Sequence, residues 1–361
     1  RPRAATSARS GAALLLGAVA AGLVALGCGG PSPIIGCTEA EGLTPVCGFH
    51  NPEDLVADPS GRWLLVSQAP LDDLAGEITA FAPKSGEQRR LFPNESVAGD
   101  GTAGSADCPG PPDLEAFAPH GIDLSLDGRT LFVVNHGGRE AVELLALSRG
   151  RSGGAPELAW AGCVPMPDGA MMNDVAALPD GTGFVVTQMA SSGLRGMVAL
   201  ARGGTTGQVL RWTRDAGLRP VPGTEGAGPN GVAVARDGSA VYFSEWTAGR
   251  VVRVALDGSG RRNVDVGFNP DNLTWRADGR LLAAGQMATP LQAAACFEVS
   301  EGTCGLPSAV AVLDPQTLEP TRLLTNQPAV VTGGLSVALE HDGRIWLGTF
   351  GGDRLASMAA R

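Results

Sequence analysis

Residues 232–245, VAVARDGSAVYFSE, contain the pattern from which the fold can be predicted. Alternating apolar residues stand on both sides of Asp237-Gly238, which predicts two short antiparallel strands joined by a tight turn. The same pattern recurs five more times, as LVADPSGRWLLVSQ (55–68), IDLSLDGRTLFVVN (122–135), VAALPDGTGFVVTQ (175–188), LTWRADGRLLAAGQ (273–286) and SVALEHDGRIWLGT (336–349).

The turn glycines of these hairpins lie about 56 residues apart on average, at Gly61, Gly128, Gly181, Gly238, Gly279 and Gly343. That spacing leaves room for four short strands per repeat, and four-stranded units repeated radially are the blades of a β-propeller. The 52 Gly and 26 Pro, with no sustained helical period, argue against helical bundles. We therefore predict an all-β, six-bladed β-propeller with a central channel at residues 51–361, after a linker at residues 28–50. Two unrelated β-domains with similar turns are the alternative.

The first 27 residues have the layout of a secretory signal peptide. Three arginines precede an apolar run at residues 11–26, which is short for a membrane span. The segment VALGC (24–28) resembles a bacterial lipobox, which would make Cys28 the lipidated first residue of the mature protein. An ordinary cleaved signal with an incidental cysteine is the alternative. We expect an exported protein of the periplasm or cell envelope, in contact with the membrane only through a lipid at Cys28.

Six further cysteines follow Cys28, and an exported protein meets an oxidising compartment. Six cysteines allow 15 pairings. Two pairs would close short local loops, which leaves a third, so we predict the disulfides Cys37–Cys47, Cys296–Cys304 and Cys108–Cys163. A metal–thiolate site is the weaker interpretation, because no C-x-x-C pair occurs.

Eight positions before each turn glycine, five of the six residues are polar. This first register comprises Glu53, His120, Asn173, Asn230, Asp271 and Leu335, and Asn272 follows Asp271. Equivalent positions of successive blades are related by rotation about the channel, so these side chains can surround a single point. Carboxylate and amide oxygens are ligands of hard cations such as Ca²⁺. A zinc site is disfavoured because the register holds one His and no Cys. The alternative is that Asn and Asp merely end loops before strands.

Seven positions after each glycine lies a second register, Gln68, Asn135, Gln188, Glu245, Gln286 and Phe350. Because a hairpin folds back on itself, we expect it at the same end of the channel, in hydrogen bonds to the first register or to substrate. His136 follows Asn135 and should be a cross-strand neighbour of His120. Two adjacent histidines beside a cation favour acid–base chemistry. A loop position for His136 and a buried, hydrogen-bonded His120 are the alternative.

Six short motifs resemble the paraoxonase/arylesterase family, within the wider superfamily of six-bladed calcium propellers that includes gluconolactonases and strictosidine-synthase-like proteins. The motifs are Pro52-Glu53-Asp54-Leu55, Pro119-His120-Gly121-Ile122, Val133-Val134-Asn135-His136, Asn173-Asp174-Val175, Pro229-Asn230-Gly231-Val232 and Asp271-Asn272-Leu273.

The resemblance implies two calcium ions in the channel. For the catalytic ion the matching residues are Glu53, Asn173, Asn230, Asp271 and Asn272. For the structural ion they are Asp54, Asp174 and the backbone carbonyl of Ile122, and His120 and His136 match the family's histidine dyad. The family's disulfide between the first and last strands has no counterpart, since no Cys follows Cys304, so ring closure must rely on strand pairing.

The leading hypothesis is a calcium-dependent hydrolase of lactones or aryl esters, a carboxylic ester hydrolase in which calcium polarises the carbonyl and the dyad activates water. The alternatives are a sugar lactonase of the gluconolactonase type and a non-catalytic binding propeller stabilised by calcium. We expect a monomer whose partner is a small ester or lactone. A nucleic-acid partner is not expected, because the net charge is −10 and no basic patch stands out.

Overall fold

The computed structural model of the protein describes residues 31–69, 75–150 and 154–360. The predicted signal peptide and Cys28 lie outside the described residues. Six four-stranded antiparallel sheets follow one another along the described chain and form the six blades of a β-propeller, which confirms the predicted fold. In each blade the first strand of the repeated hairpin is innermost, because it is the strand that contacts the corresponding strands of the adjacent blades.

Two short strands, β1 (Pro33–Ile34) and β2 (Thr44–Cys47), precede the first blade. The strands of the first three blades then follow in chain order. They are β3 (Pro52–Ala57), β4 (Leu64–Gln68), β5 (Glu77–Ala82) and β6 (Glu87–Phe92); β7 (Pro119–Leu124), β8 (Thr130–Asn135), β9 (Ala141–Ser148) and β10 (Glu157–Pro165); and β11 (Ala170–Ala177), β12 (Gly183–Ser191), β13 (Gln208–Thr213) and β14 (Gly217–Pro220).

The last three blades repeat the arrangement, with one additional short strand, β21 (Thr303–Cys304), which pairs with β1. Their strands are β15 (Pro229–Val234), β16 (Ala240–Glu245), β17 (Arg250–Ala255) and β18 (Arg262–Asp265); β19 (Asn269–Trp275), β20 (Leu281–Gln286), β22 (Ser308–Leu313) and β23 (Pro320–Asn326); and β24 (Leu335–His341), β25 (Arg344–Thr349) and β26 (Arg354–Ala359), with β2 as the fourth strand of the sixth blade.

The ring closes through β2, which pairs antiparallel with β26 from Thr44 opposite Ser357 to Cys47 opposite Arg354. The sixth repeat supplies only three strands of its own, and the N-terminal segment supplies the missing outer strand. Strand pairing therefore closes the ring, as expected from the lack of a terminal disulfide. Part of the segment expected to be a linker, residues 28–50, belongs to the propeller, because an edge strand is stabilised by a partner for its free N–H and C=O groups.

The hydrophobic core consists of layers between adjacent blades, and alternation along each strand builds it. In β4, Leu65 packs in the layer between the first and second blades, whereas Leu64 and Val66 pack between the first and sixth. All three are fully buried. A strand buried on both faces needs apolar residues at consecutive positions, which accounts for the Leu-Leu-Val run.

All three predicted disulfides are confirmed: Cys37–Cys47, Cys108–Cys163 and Cys296–Cys304. In the part of the chain that the structure describes, helices occur in two connections, Leu194–Ala201 between β12 and β13 and Pro290–Ala294 between β20 and β22, with 3₁₀ turns at Trp246–Ala248 and Ala295–Glu298. Among the described residues no helix is both long and apolar enough to cross a membrane.

The Gly/Pro-rich insert at residues 94–119 runs first along the free edge of β10. Val97 forms a parallel bridge with Trp160, and Ser105 N donates to the carbonyl of Cys163. Its last residues turn back to the channel, where Ala118 N donates to the side chain of Asn135 (2.9 Å). The insert therefore covers the outer edge of the second blade and ends beside the candidate site.

Candidate active site

A register shift interrupts the innermost hairpin of every blade at the same place, near the start of its first strand. The shifts fall at Pro52/Asp54, Pro119/Ile122, Met172/Val175, Pro229/Val232, Pro270/Leu273 and Leu335/Ala338. The residues left out of the pairing include every polar member of the first register. A β-bulge bends its strand and re-aims a side chain. This irregularity, which alternation along the sequence does not reveal, places the polar side chains within the channel.

Glycine makes two of these bulges possible, because the next blade lies against them. A Cβ added at Gly121 would lie 2.5 Å from the Cα of Asp174, and one at Gly231 would lie 2.5 Å from the Cα of Asn272. Real Cβ atoms do not approach that closely. The glycines following His120 and Asn230 therefore serve close packing between blades rather than an unusual backbone conformation.

The five residues predicted to hold the catalytic calcium are all buried, with side chains at most 6% exposed. Among them, Asn272 Nδ2 donates to Glu53 Oε1 over 3.1 Å. Four of the five carry a buried oxygen without a hydrogen-bond donor, namely Glu53 Oε2, Asn173 Oδ1, Asn230 Oδ1 and Asn272 Oδ1. A buried oxygen without a donor is costly unless a cation or proton compensates it. These residues therefore fit a hard cation.

No group of three or more His, Cys, Asp or Glu residues is placed to hold a metal within the described ranges. The candidate site differs from such a group because three of its five oxygen donors are asparagine amides. Amide oxygens suit calcium and magnesium and are poor ligands for zinc. The donor set thus favours calcium over a transition metal.

Burial raises the pKa of the carboxyl groups around the channel. It raises the pKa of Asp271 and of Asp54 to about 7, and that of Glu53 well above its usual range, where the charges of Asp54 and Asp271 add to the effect. None of the salt bridges among the described residues brings Lys or Arg to these carboxylates. Ionising these buried carboxyl groups is therefore costly, and a bound cation would offset that cost.

The carboxylates matched to the structural calcium join consecutive blades. Asp54 Oδ2 accepts from the backbone N–H of Ile122 (2.7 Å), and Asp174 Oδ2 accepts from that of Val232 (2.7 Å). Burial and the charge of Asp54 raise the pKa of Asp174 well above its usual value. Asp54 thus contacts the backbone of Ile122, and Asp174 lies close enough to Asp54 for their charges to interact.

The two predicted dyad residues contact each other, since His120 Nδ1 lies 2.9 Å from His136 Nε2. The other ring nitrogen of His120, Nε2, lies 3.6 Å from Glu53 Oε1, and the His120 side chain is 24% exposed. Burial and the neighbouring His136 lower the pKa of His120 to about 3. Its imidazole is therefore neutral at neutral pH, and it is the partly exposed neighbour of the buried Glu53 carboxyl group.

Sequence reasoning missed Glu140, whose carboxylate lies 3.0 and 3.1 Å from His136 Nδ1. The signal available was its position four residues after His136, directly before the first residue of β9. It also missed the hydroxyls that join neighbouring blades. Thr187 Oγ1 donates to Asn230 O, and Ser336 Oγ donates to Glu53 O, both over 2.6 Å.

In the second register, the side chain of Gln286 contacts a predicted ligand, whereas Gln68 contacts Glu77 and Thr79 of the neighbouring strand and a loop. Gln286 Nε2 donates to Asp271 Oδ2 over 2.7 Å. Gln68 Oε1 instead accepts from the backbone N–H of His50, and Asn135 Oδ1 from that of Ala118. Phe350 packs edge-on against Phe297.

Fold and site together define a six-bladed propeller with a buried cluster of oxygen donors in its channel. The sequence matches the SMP-30/Gluconolactonase/LRE-like region over residues 72–289, which is more than half of the chain, and the protein belongs to this family. The family lies within the superfamily expected from the motifs, on its gluconolactonase side. No curated protein matches the sequence.

Solved structures share the fold at low sequence identity. A gluconolactonase from Xanthomonas campestris is 16% identical with a TM-score of 0.54, and the alignment covers 92% of this chain and 95% of that one. Virginiamycin B lyase from Staphylococcus aureus is 12% identical with a TM-score of 0.52 and coverages of 88% and 99%. A luciferin-regenerating enzyme is 12% identical with a TM-score of 0.53 and coverages of 92% and 96%. These likenesses support the propeller fold.

Proposed function

We propose that this protein is a calcium-dependent hydrolase of lactones or aryl esters. The observation that carries the proposal is the adjacency of two features, the buried oxygens without donors on Glu53, Asn173, Asn230 and Asn272 and the histidine pair at the open end of the channel. Family membership and the fold shared with a gluconolactonase support lactones as the substrate class.

In the proposed mechanism, bound calcium would polarise the substrate carbonyl and stabilise the negative charge that develops on its oxygen. Glu53, Asn173, Asn230, Asp271 and Asn272 would hold it, and Asp54, Asp174 and the carbonyl of Ile122 would hold a second ion with a structural role. His120 Nε2 takes a proton from the attacking water, and His136 orients His120 through the 2.9 Å contact. A positioned general base of this kind contributes about 10²- to 10⁴-fold in rate.

Two alternatives make different demands on the histidines. A sugar lactonase of the gluconolactonase type needs calcium and a carboxylate, and a non-catalytic binding propeller needs calcium only for stability. The paired rings favour the dyad mechanism, because neither alternative requires two imidazoles in contact at the mouth. We also propose that the protein is exported, which its three disulfides support. The anchor that we propose at Cys28 rests on the lipobox-like segment 24–28.

The test is hydrolysis by the purified protein, stripped with EDTA and restored with calcium, of phenyl acetate, γ- and δ-lactones and a sugar lactone. We expect calcium-dependent turnover that His120→Gln reduces at least about tenfold. His341→Gln is the control, because His341 pairs with Arg344 at the opposite end of its strand from the channel mouth. Turnover of the sugar lactone alone, unaffected by His120→Gln, would establish the second function. If none of the substrates is turned over, the non-catalytic binding propeller would be the remaining interpretation.

A further inference from the structure

The side chain of Glu140, in the second blade, contacts two groups. They are the imidazole of His136 and the backbone of Met172 in the third blade. Its Oε1 accepts from the backbone N–H of Met172 over 2.6 Å, and its Oε2 lies 3.0 Å from His136 Nδ1. The neighbouring Arg139 directs its guanidinium to Glu143 instead, at 2.9 and 2.8 Å. The carboxylate of Glu140 is therefore available to His136 and Met172, and its side chain is 21% exposed.

This contact determines where the protons on both imidazoles lie. A carboxylate oxygen accepts hydrogen bonds, so His136 Nδ1, facing Glu140, carries a hydrogen. In the neutral ring Nε2 then has a lone pair, which must accept from His120 Nδ1 across their 2.9 Å contact. His120 consequently has its hydrogen on Nδ1 and a lone pair on Nε2, the nitrogen 3.6 Å from Glu53.

We propose that Glu140 is a positioning residue that fixes both histidines in the Nδ1–H tautomer, so that His120 presents an unprotonated Nε2 to the channel. The inference rests on the proposed function for its catalytic meaning, and its tautomer assignment can be tested without turnover. The sequence of contacts is Glu140, His136, His120, in which each member orients the next.

The chemical consequence concerns the first proton transfer. One O–H bond of the attacking water breaks, its proton forms a bond to His120 Nε2, and the oxygen's electron pair forms the new bond to the ester carbon while the C=O π pair moves onto the carbonyl oxygen. That pair then re-forms the C=O bond as the C–O bond to the leaving alkoxide breaks. His120 then carries a positive charge while its Nδ1–H still donates to His136, which Glu140 holds in place. The proton on Nε2 later passes to the leaving alkoxide, which restores the starting tautomer.

Glu140→Gln is the variant that tests this assignment. With its amide oxygen still accepting from Met172 N, its amide group would donate to His136 Nδ1, because the two atoms replace Oε1 and Oε2 in the same positions. His136 would then carry its hydrogen on Nε2 and donate to His120 Nδ1, which leaves His120 with a hydrogen on Nε2. Glu140→Asp keeps a carboxylate, and Glu115→Gln is the control, since Glu115 is exposed and lies close in sequence to the segment packed against Gly137.

The measurement is the ¹⁵N NMR spectrum of the imidazoles in calcium-loaded protein with labelled histidine. The chain has four histidines to assign. We expect Nδ1–H tautomers for His120 and His136 in the wild type and in Glu115→Gln, and Nε2–H tautomers in Glu140→Gln. Glu140→Asp should keep the wild-type tautomers. In parallel, Glu140→Gln should lower kcat about 10- to 100-fold with little change in KM or melting temperature.

Unchanged tautomers in Glu140→Gln would overturn the proposal, and so would inverted tautomers with an unchanged kcat. If the wild type hydrolyses none of the substrates, the proposed function fails, yet the NMR result still decides whether Glu140 sets the tautomers. If Glu140→Gln does not fold, Glu140→Asp decides. Loss of the Nδ1–H tautomers in that variant, despite its retained carboxylate, would overturn the assignment.

Discussion

Asn272 and Glu53 are 219 residues apart in the chain, and their side chains meet across the channel, with Asn272 Nδ2 3.1 Å from Glu53 Oε1. In this contact the amide nitrogen of Asn272 donates to the carboxylate of Glu53, and the amide oxygen of Asn272 has no hydrogen-bond donor. One oxygen of each residue is thereby left for a cation. This hydrogen bond links the first and fifth blades, which are not adjacent in the ring.

The metal-free protein should lose stability as the pH rises from about 4 to about 7. The folded pKa values of Asp54 and Asp271 are raised to about 7, so between their unfolded and folded values the native state binds more protons than the unfolded one. The lowered pKa of His120 opposes this trend between about pH 3 and 6.5 but involves one group. Urea unfolding in EDTA at pH 5 and 7.5 measures the effect. With calcium the decline should disappear, and an equal decline with calcium would argue against a channel site.

Asp271→Ala should weaken calcium binding and turnover together. The substitution removes one of the two carboxylates from the predicted catalytic ligands and leaves Gln286 Nε2 without that acceptor. Calcium titration by calorimetry should show at least a tenfold weaker site, about 1.4 kcal/mol. The control is Asp168→Ala, an equal change of charge at an exposed position. Unchanged affinity in Asp271→Ala would remove this residue from the ligand set.

Gly231→Ala should destabilise the propeller by about 1–3 kcal/mol, the usual range for overpacking. The new methyl would meet the backbone of Asp271 and the Cα of Asn272, neither of which can rotate away. Urea unfolding compares it with Gly204→Ala, whose added Cβ would have only one neighbour within 4 Å, Ala199 O at 3.9 Å. Since the strain falls on Asn272, calcium affinity should decrease as well. Equal stability of the two variants would contradict the close approach of the blades.

The double variant Cys37→Ser/Cys47→Ser should weaken ring closure. The disulfide holds β2, the outer strand of the sixth blade, and loss of a native disulfide costs about 2–5 kcal/mol. Limited proteolysis with mass spectrometry should show earlier cleavage at residues 31–50 than in the wild type. Cys108→Ser/Cys163→Ser is the comparison, because that disulfide joins the insert to β10 of the second blade and has no residue in the segment 31–50. Cleavage unchanged from the wild type would show that strand pairing alone closes the ring.

Local sequence determined the repeat. Each hairpin needs only alternating apolar residues and a glycine turn, such as Asp237-Gly238, so its existence and its spacing were readable without a structure. The disulfides were also predictable, because the expected export favours paired cysteines and short loops restrict the pairings. The first register and the histidine pair could be located by their distance in sequence from the turn glycine. In a hairpin, residues at the same distance from the turn lie at the same height along the channel.

The orientation of those side chains in the channel depends on contacts between blades, which a single repeat does not contain. The bulges that leave Glu53 and Asn173 out of the strand ladder arise where neighbouring blades crowd together, a constraint absent from any single repeat. The closure by β2 joins the two ends of the described chain, and Glu140 acquires its role only where Met172 of the next blade supplies an N–H. The physical reason is the same in each case: sequence periodicity specifies contacts within a hairpin, whereas packing of the whole ring specifies contacts between blades.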